Sequence, residues 1–159
     1  MPKRCAAAAN HSMSNIALAY TMTTLDEIAE TLDLFDDWDQ RYHYLVELGE
    51  QLPEMPEALK TEDNKVKGCM SQVWISAYTD VSQPELIYFH GDCDTTIIKG
   101  VLALLIQLTE SRTAQQIQQL DVDDFFKQLK LDKHLSPNRH FGIYAIVELM
   151  KQQAAALST

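Results

Sequence analysis

The chain has 159 residues, and 13 basic against 23 acidic side chains give it a formal net charge of −10. Its length and its 46% hydrophobic content fit one globular domain with its own core. The acidic balance argues against nucleic acid, whose phosphates require a basic face, and against anionic membranes.

The three cysteines are Cys5, Cys69 and Cys93. Their odd number and wide spacing predict neither a disulfide framework nor a CxxC zinc site, so reduced thiols are expected. No apolar run reaches the ~18 residues that a bilayer-spanning helix needs. The N-terminus lacks the apolar core of a secretory signal. These features together predict a cytoplasmic protein.

Residues 1–22 show no periodicity, which predicts a poorly ordered extension with Met13 or Met22 as a possible true start. Residues 23–159 are predicted to form a single domain. Thr24 and Glu27 fit a capping box that opens a short helix. Asp36 or Asp37 then caps a second helix, which Pro53 ends. The apolar stripe of this second helix consists of Trp38, Tyr42, Leu45, Leu48 and Leu52.

Alternating side chains over residues 72–78 predict a strand, and residues 86–90 predict its return strand after a hairpin connection. Val66 and its neighbours are candidates for a short third strand. Residues 91–94 are predicted to leave the sheet, with Asp94 or Thr95 capping the next helix.

The segment 96–109 is apolar nearly all round, which predicts a central helix packed on the sheet. Short helices are predicted after Thr113 and over residues 121–129. Ser136 and Pro137 start a last helix that runs to about Ala155. The apolar residues of this last helix are Phe141, Ile143, Ile146, Val147 and Met150. The fold class is therefore α+β, a small antiparallel sheet packed with helices.

Gly68 and Cys69 stand between a polar run and the first strand, which predicts a thiol at the tip of a loop. Such a cysteine can act as a nucleophile, although cytosolic cysteines more often serve as small hydrophobic residues. Lys65 and Lys67 precede it, and nearby cations favour the thiolate. The same lysines are equally well explained as ordinary solvated charges.

Other chemistries have weaker support. The histidines are His11, His43, His90, His134 and His140, with no HxH or HExxH grouping. His90 and Cys93, with Asp92 and Asp94 beside them, leave a metal or iron–sulfur site open. No phosphate-binding glycine motif occurs, and a Cys–His dyad lacks an identified histidine.

Four stretches occur in the order and spacing of one known family. The octet 68–75, GCMSQVWI, resembles the GCxSQVW signature of the SufE family, the sulfur acceptors of cysteine desulfurases. Residues 38–53 resemble the family's first long helix, residues 91–100 its GDSD…IVKG stretch, and residues 134–142 its HLSPSRxxG turn. The resemblance covers about residues 24–153.

The resemblance implies a fold shared with the IscU-type scaffold proteins, and a role. In that role Cys69 accepts sulfur as a persulfide from a SufS- or CsdA-type cysteine desulfurase. It then passes the sulfur to an iron–sulfur scaffold, the SufB-containing complex. The protein is then an accessory that requires no cofactor or metal of its own and is not a stand-alone enzyme. Matching positions implied for the loop or the partner interface are Gly68, Ser71, Gln72, Asp94, Lys99 and Arg139.

Three departures from the family pattern stand out. Cys93 occupies a position that is usually serine, Met70 replaces a polar residue, and His140 with Phe141 replaces a small polar pair. The metal scaffold of IscU-like fold and a non-chemical adaptor that only stimulates the desulfurase remain as alternatives. We further expect a sheltered resting thiol, because water and oxidants destroy exposed persulfides, and a loop at Gly68 that swings outward toward the partner.

Overall fold

The computed structural model describes residues 25–131 and 137–158. The α-helices of this part of the chain are α1 (Leu25–Asp33), α2 (Trp38–Glu50), α3 (Thr96–Thr109), α4 (Ala114–Gln118), α5 (Val122–Gln128) and α6 (Pro137–Leu157). Its strands are β1 (Val73–Asp80), β2 (Gln83–Cys93) and β3 (Arg112–Thr113), and a short 3-10 helix spans Glu57–Leu59. None of these helices is both long enough and apolar enough to cross a membrane.

The strands form an antiparallel sheet in the order β1-β2-β3, which confirms the predicted α+β class. The third strand is β3, not the segment around Val66, where Lys65 makes only an isolated bridge to Trp74. The prediction that residues 91–94 leave the sheet was wrong, because Cys93 still pairs with Val73. A Cβ on Gly91 would stand 2.9 Å from Ile106 Cδ1, so this glycine permits close packing of strand and helix instead of a turn.

Helix α3 lies at the centre of the core, as its apolar sequence predicts. Helix α2 crosses it at two glycines, and a Cβ on Gly49 would stand 2.8 Å from Gly100 N. Helix α6 follows the edge of β1 that faces away from β2, beyond the backbone bonds that residues 64–66 make there. There the Gln153 side chain accepts from Ala77 N and donates to Ile75 O, both at 2.9 Å, and so replaces a neighbouring strand. This pairing places the first turns of α6 beside the segment that precedes β1.

Two predicted helix caps are confirmed: Asp37 accepts from Gln40 N, and Thr113 forms a capping box with Gln116. Asp121, predicted as the first residue of a helix, is instead its N-cap and accepts from Asp124 N. The predicted caps Thr24 and Ser136 lie outside the described residues. Thr95 holds the N-cap position of α3 but makes no side-chain cap bond, because its hydroxyl is engaged elsewhere.

Candidate functional site

Cys69 lies in a short loop, residues 67–72, which we call the cysteine loop. Its base is closed by the hydrogen bond from Val66 N to Val73 O at 2.8 Å. Gly68 has a φ of +86°, in the left-handed region that glycine adopts without steric cost. The predicted loop tip with its glycine bend is therefore present.

The C-terminal end of the cysteine loop is fastened to the residues that follow β2. Ser71 Oγ lies 2.6 Å from Thr95 Oγ1. Gln72 N donates to Asp94 Oδ1 at 3.0 Å, and Asp94 N donates to Gln72 O at 3.1 Å. Three of the predicted site residues, Ser71, Gln72 and Asp94, thus have one shared task. They hold the cysteine loop against the start of α3.

Cys69 itself is partly buried and packs at the margin of the hydrophobic core. Its thiol lies against helix α6 at Gly142, where an added Cβ would stand 2.9 Å from Cys69 Sγ. Side chains do not tolerate so short a contact, so glycine is required there for the thiol to keep its place. The Cys69 thiol can occupy this partly buried position because Gly142 of α6 has no side chain.

Cys93 lies deeper, with 6% of its surface exposed. Thr95 N donates to Cys93 Sγ at 3.4 Å. Burial raises the pKa of the Cys93 thiol to about 11, and the nearby Asp94 and Cys69 add to the rise while the Thr95 N–H opposes it. Cys93 is therefore a neutral thiol near neutral pH, in the same core cluster against which Cys69 packs.

Lys99 takes part in an ion pair next to this region. Its Nζ lies 3.3 Å from Asp92 Oδ1, and Lys60 Nζ lies 2.8 Å from Asp92 Oδ2. Partial burial would raise the pKa of Asp92, but hydrogen bonds from Lys60, Cys93 N and Lys99 outweigh it and lower that pKa. Lys99 thus helps to hold the strand end that bears Cys93, and its described ion pair is not with the cysteine loop.

The remaining predicted cations give no described support to the thiol. Lys67 Nζ binds the Glu62 carboxylate at 2.5 Å and the Glu62 carbonyl at 3.2 Å. Arg139 lies in the first turn of α6, three residues before Gly142, but its side chain is outside the described residues.

The possible metal ligands His90 and Cys93 point to opposite faces of β2, because they lie three residues apart in a strand. His90 stacks on Tyr78 with ring centroids 4.5 Å apart, while Cys93 faces the core. Across residues 25–131 and 137–158, no group of three or more His, Cys, Asp or Glu side chains is arranged to hold a metal ion.

Two large apolar side chains are exposed beside the two residues that meet at the thiol, Cys69 and Gly142. Met70 directly follows Cys69 and is 87% exposed, and Phe141 directly precedes Gly142 and is 66% exposed. The other four apolar residues predicted for α6 are buried: Ile143, Ile146, Val147 and Met150. Exposed apolar side chains beside a functional group are typical of a surface that binds another protein.

The fold and the site define a class: a small α+β protein that presents a cysteine on a glycine-containing loop. The family model described as "SufE: Fe-S metabolism associated domain" matches residues 26–154. An uncharacterized SufE-like protein of Rhizobium meliloti is 37% identical over 134 residues, covering 84% of this chain and 96% of its own. One from Rhizobium etli is 36% identical over 135 residues, covering 84% and 90%.

The chain belongs to the SufE family, a domain family associated with Fe–S metabolism. Its fold is also similar to the solution structure of a hypothetical protein from Thermus thermophilus. That match has a TM-score of 0.65 and 17% identity, and it covers 82% of this chain and 95% of the other.

Sequence reasoning did not assign a role to Thr95 or Gly142. The sequence predicts Thr95 only as a possible helix cap, whereas its hydroxyl lies 2.6 Å from the hydroxyl of Ser71, 24 residues earlier in the chain. Gly142 was noted only as part of a motif. A glycine inside a helical pattern is a signal that another group packs closely there, and here that group is Cys69.

Proposed function

We propose that the protein is a sulfur acceptor and activator of a cysteine desulfurase, holding sulfane sulfur as a persulfide on Cys69 for iron–sulfur cluster assembly. The observation that supports this best is the setting of Cys69 itself. It is partly buried against Gly142, on a loop bent at Gly68 and bordered in sequence by the exposed Met70. Membership of an Fe–S metabolism family gives this thiol its context.

The transfer is a thiol–persulfide exchange. The Cys69 thiolate attacks the terminal sulfur of a persulfide on the desulfurase. The sulfur–sulfur bond of the desulfurase breaks, and its cysteine leaves as a thiolate. Cys69 then holds the sulfane sulfur as –S–SH. No electrons are gained or lost overall, so the accessory needs neither a cofactor nor a metal, and it has no turnover without its partner.

The partial burial of Cys69 suits such an intermediate, because water and oxidants destroy exposed persulfides. Delivery then requires the thiol to leave its place against Gly142 and enter the partner's active site. Beyond the local turn at residues 67–68, none of the described residues forms a hydrogen bond with Gly68, Cys69 or Met70. This part of the cysteine loop therefore moves outward without losing hydrogen bonds to the described body of the protein.

The proposed partners are a SufS- or CsdA-type cysteine desulfurase and, downstream, the SufB-containing scaffold complex, in the cytoplasm. Met70, which follows Cys69, and Phe141, which precedes Gly142, offer exposed apolar side chains for contact with the partner. Lys99 and Arg139 are proposed as further residues of the loop region or interface.

The alternative of a metal or iron–sulfur scaffold has less support, because His90 and Cys93 face opposite sides of the sheet. It predicts stoichiometric iron or zinc in the purified protein, lost in Cys93→Ser or His90→Ala. The adaptor alternative predicts full stimulation of the desulfurase by Cys69→Ala.

The direct test is to incubate the protein with a SufS-type desulfurase and cysteine, and to measure intact mass early under non-reducing conditions. We expect one added sulfur atom on the wild type and on the control Cys5→Ser, and none on Cys69→Ser. A sulfur adduct that persists in Cys69→Ser would overturn the assignment of the acceptor.

A further inference from the structure

Thr95 contacts both of the segments that carry the described cysteines. On one side, Thr95 N donates to Cys93 Sγ at 3.4 Å. On the other side, Thr95 Oγ1 lies 2.6 Å from Ser71 Oγ, two residues from Cys69. Strand pairing of Val73 with Cys93 fixes the same neighbourhood from the β1 side. One residue thus holds both thiol-bearing segments together.

Both thiols also belong to one apolar environment. Cys93 is a member of the buried core cluster, and Cys69 is packed against that cluster. Beyond the local turn at residues 67–68, Gly68 and Cys69 have no hydrogen bond to other described residues. The thiol is therefore held against Gly142 by packing, and we expect it to be able to turn from there toward the core.

We propose that Cys93 is a resolving thiol for Cys69: its sulfur attacks Cys69 Sγ, displaces the group that Cys69 holds, and closes a Cys69–Cys93 disulfide. The persulfide form of this reaction rests on the function proposed above. The closure itself does not, because any good leaving group on Cys69 suffices.

For the persulfide the step balances without an external oxidant. The electron pair of Cys93 sulfur forms the new bond to Cys69 Sγ, and the pair of the old sulfur–sulfur bond leaves with the terminal sulfur. That sulfur takes up the proton lost from Cys93 and departs as hydrogen sulfide. The Cys93 sulfur is oxidised, the terminal sulfur is reduced, and Cys69 and Cys93 end joined by a disulfide bond. A low-molecular-weight thiol then restores both cysteines by exchange.

The burial of Cys93 makes this step slow. Its thiol is neutral near neutral pH because burial raises its pKa to about 11, and the thiolate is the attacking form. Prompt handover to a partner therefore precedes closure. A persulfide that is not transferred to a partner in time loses its terminal sulfur as sulfide. The protein is then left with a Cys69–Cys93 disulfide, which a thiol reductant can reduce.

The first experiment is independent of sulfur transport. The full chain in a Cys5→Ser background is treated with oxidised glutathione, freed of reagent and analysed by intact mass and peptide mapping without reduction. We expect the loss of two hydrogens and a Cys69–Cys93 cross-link. In the same background, Cys93→Ser and Cys93→Ala should instead retain glutathione on Cys69. Two replacements are used because Cys93 is buried, and circular dichroism checks that each variant is folded.

The second experiment loads the same proteins with sulfane sulfur from inorganic polysulfide and follows sulfide release after the excess is removed. We expect release with disulfide closure when Cys93 is present, and a persulfide that persists at least about tenfold longer in the folded Cys93 variants, the span of a 1.4 kcal/mol barrier change. Stable glutathione and persulfide adducts on Cys69, equally long-lived with and without Cys93, would overturn the proposal. That outcome would leave the desulfurase test above unaffected.

Discussion

The two halves of the cysteine loop are held in different ways. Residues 71–72 are fastened to the start of α3 by hydrogen bonds from side chains and backbone. Beyond the local turn at residues 67–68, residues 68–70 have no hydrogen bond to other described residues. They are positioned by the packing of Cys69 against Gly142 and by the bend at Gly68. The boundary between these halves falls directly after Met70.

This difference between the two halves of the cysteine loop shows how a thiol can have a defined position and still be able to move. The fastened half fixes where the loop returns to the sheet, so any outward motion starts from the same point. The half that contains Cys69 is held by contacts that are individually weak and are lost without leaving a polar group unpaired. A hinge directly after Met70 therefore costs less free energy than one after Gln72, which would break the hydrogen bonds of residues 71 and 72.

The largest effect is expected from loosening the fastened half. Asp94→Ala removes the acceptor of Gln72 N and of the Thr95 hydroxyl. We expect the free energy of unfolding to fall by about 2 kcal/mol, the range for hydrogen bonds to a charged group. Alkylation of Cys69 should accelerate about tenfold, because a loss of 1.4 kcal/mol in the opening free energy gives that factor.

Asp80→Ala is the matched control for this change. Asp80 Oδ1 accepts from Ser82 N at 3.1 Å in the turn at the far end of the same hairpin. It should cost stability without altering the alkylation rate of Cys69. Equal rates in the wild type and Asp94→Ala would show that the fastening does not control access to the thiol.

A smaller effect is expected from the bend in the other half. Gly68→Ala places a Cβ at a φ of +86°, which costs about 1 kcal/mol for an L residue. The nearest atom to that Cβ is Ala145 Cβ at 3.9 Å, an ordinary contact, so the cost is conformational and not steric. Gly68→Asn should be better tolerated, since asparagine adopts this region more readily. Urea unfolding of the three proteins checks this order, and equal midpoints would show that the bend is not maintained.

The sequence predicts those features that depend on residues close together in the chain, such as the apolar pattern of a helix and its N-cap. The apolar pattern of residues 96–109 gives α3 with its observed bounds, and Asp37 and Thr113 cap helices as their positions indicate. Gly91 illustrates the limit, because a glycine indicates either a turn or a close approach, and only the position of Ile106 decides between them.

The candidate site depends mostly on contacts that are distant in sequence. The match to the SufE family model establishes the family, and the assignment of Cys69 as the sulfur acceptor is our proposal from the resemblance and from the packing of its thiol. The pairing of Ser71 with Thr95 and the packing of Cys69 on Gly142 join segments that no local pattern relates. Phe141 shows the same limit: hydrophobicity alone gives no sign that it faces solvent while Ile143 is buried.

The smallest effect tests whether Cys69 has a defined place against α6. Gly142→Ala should gain about 0.5–1 kcal/mol from helix propensity where space allows. Space allows it in a Cys69→Ala background, because the remaining Cβ would lie 3.8 Å away. With Cys69 present, Sγ would lie 2.9 Å from the new methyl group, so the gain should vanish and alkylation of Cys69 should accelerate. Denaturant unfolding of the four proteins gives the interaction energy, expected to be about 1 kcal/mol. If the effects of the two substitutions on the free energy of unfolding were strictly additive, the Cys69 side chain could move away from position 142 without loss of stability. Residues 68–70 would then have no preferred position against α6.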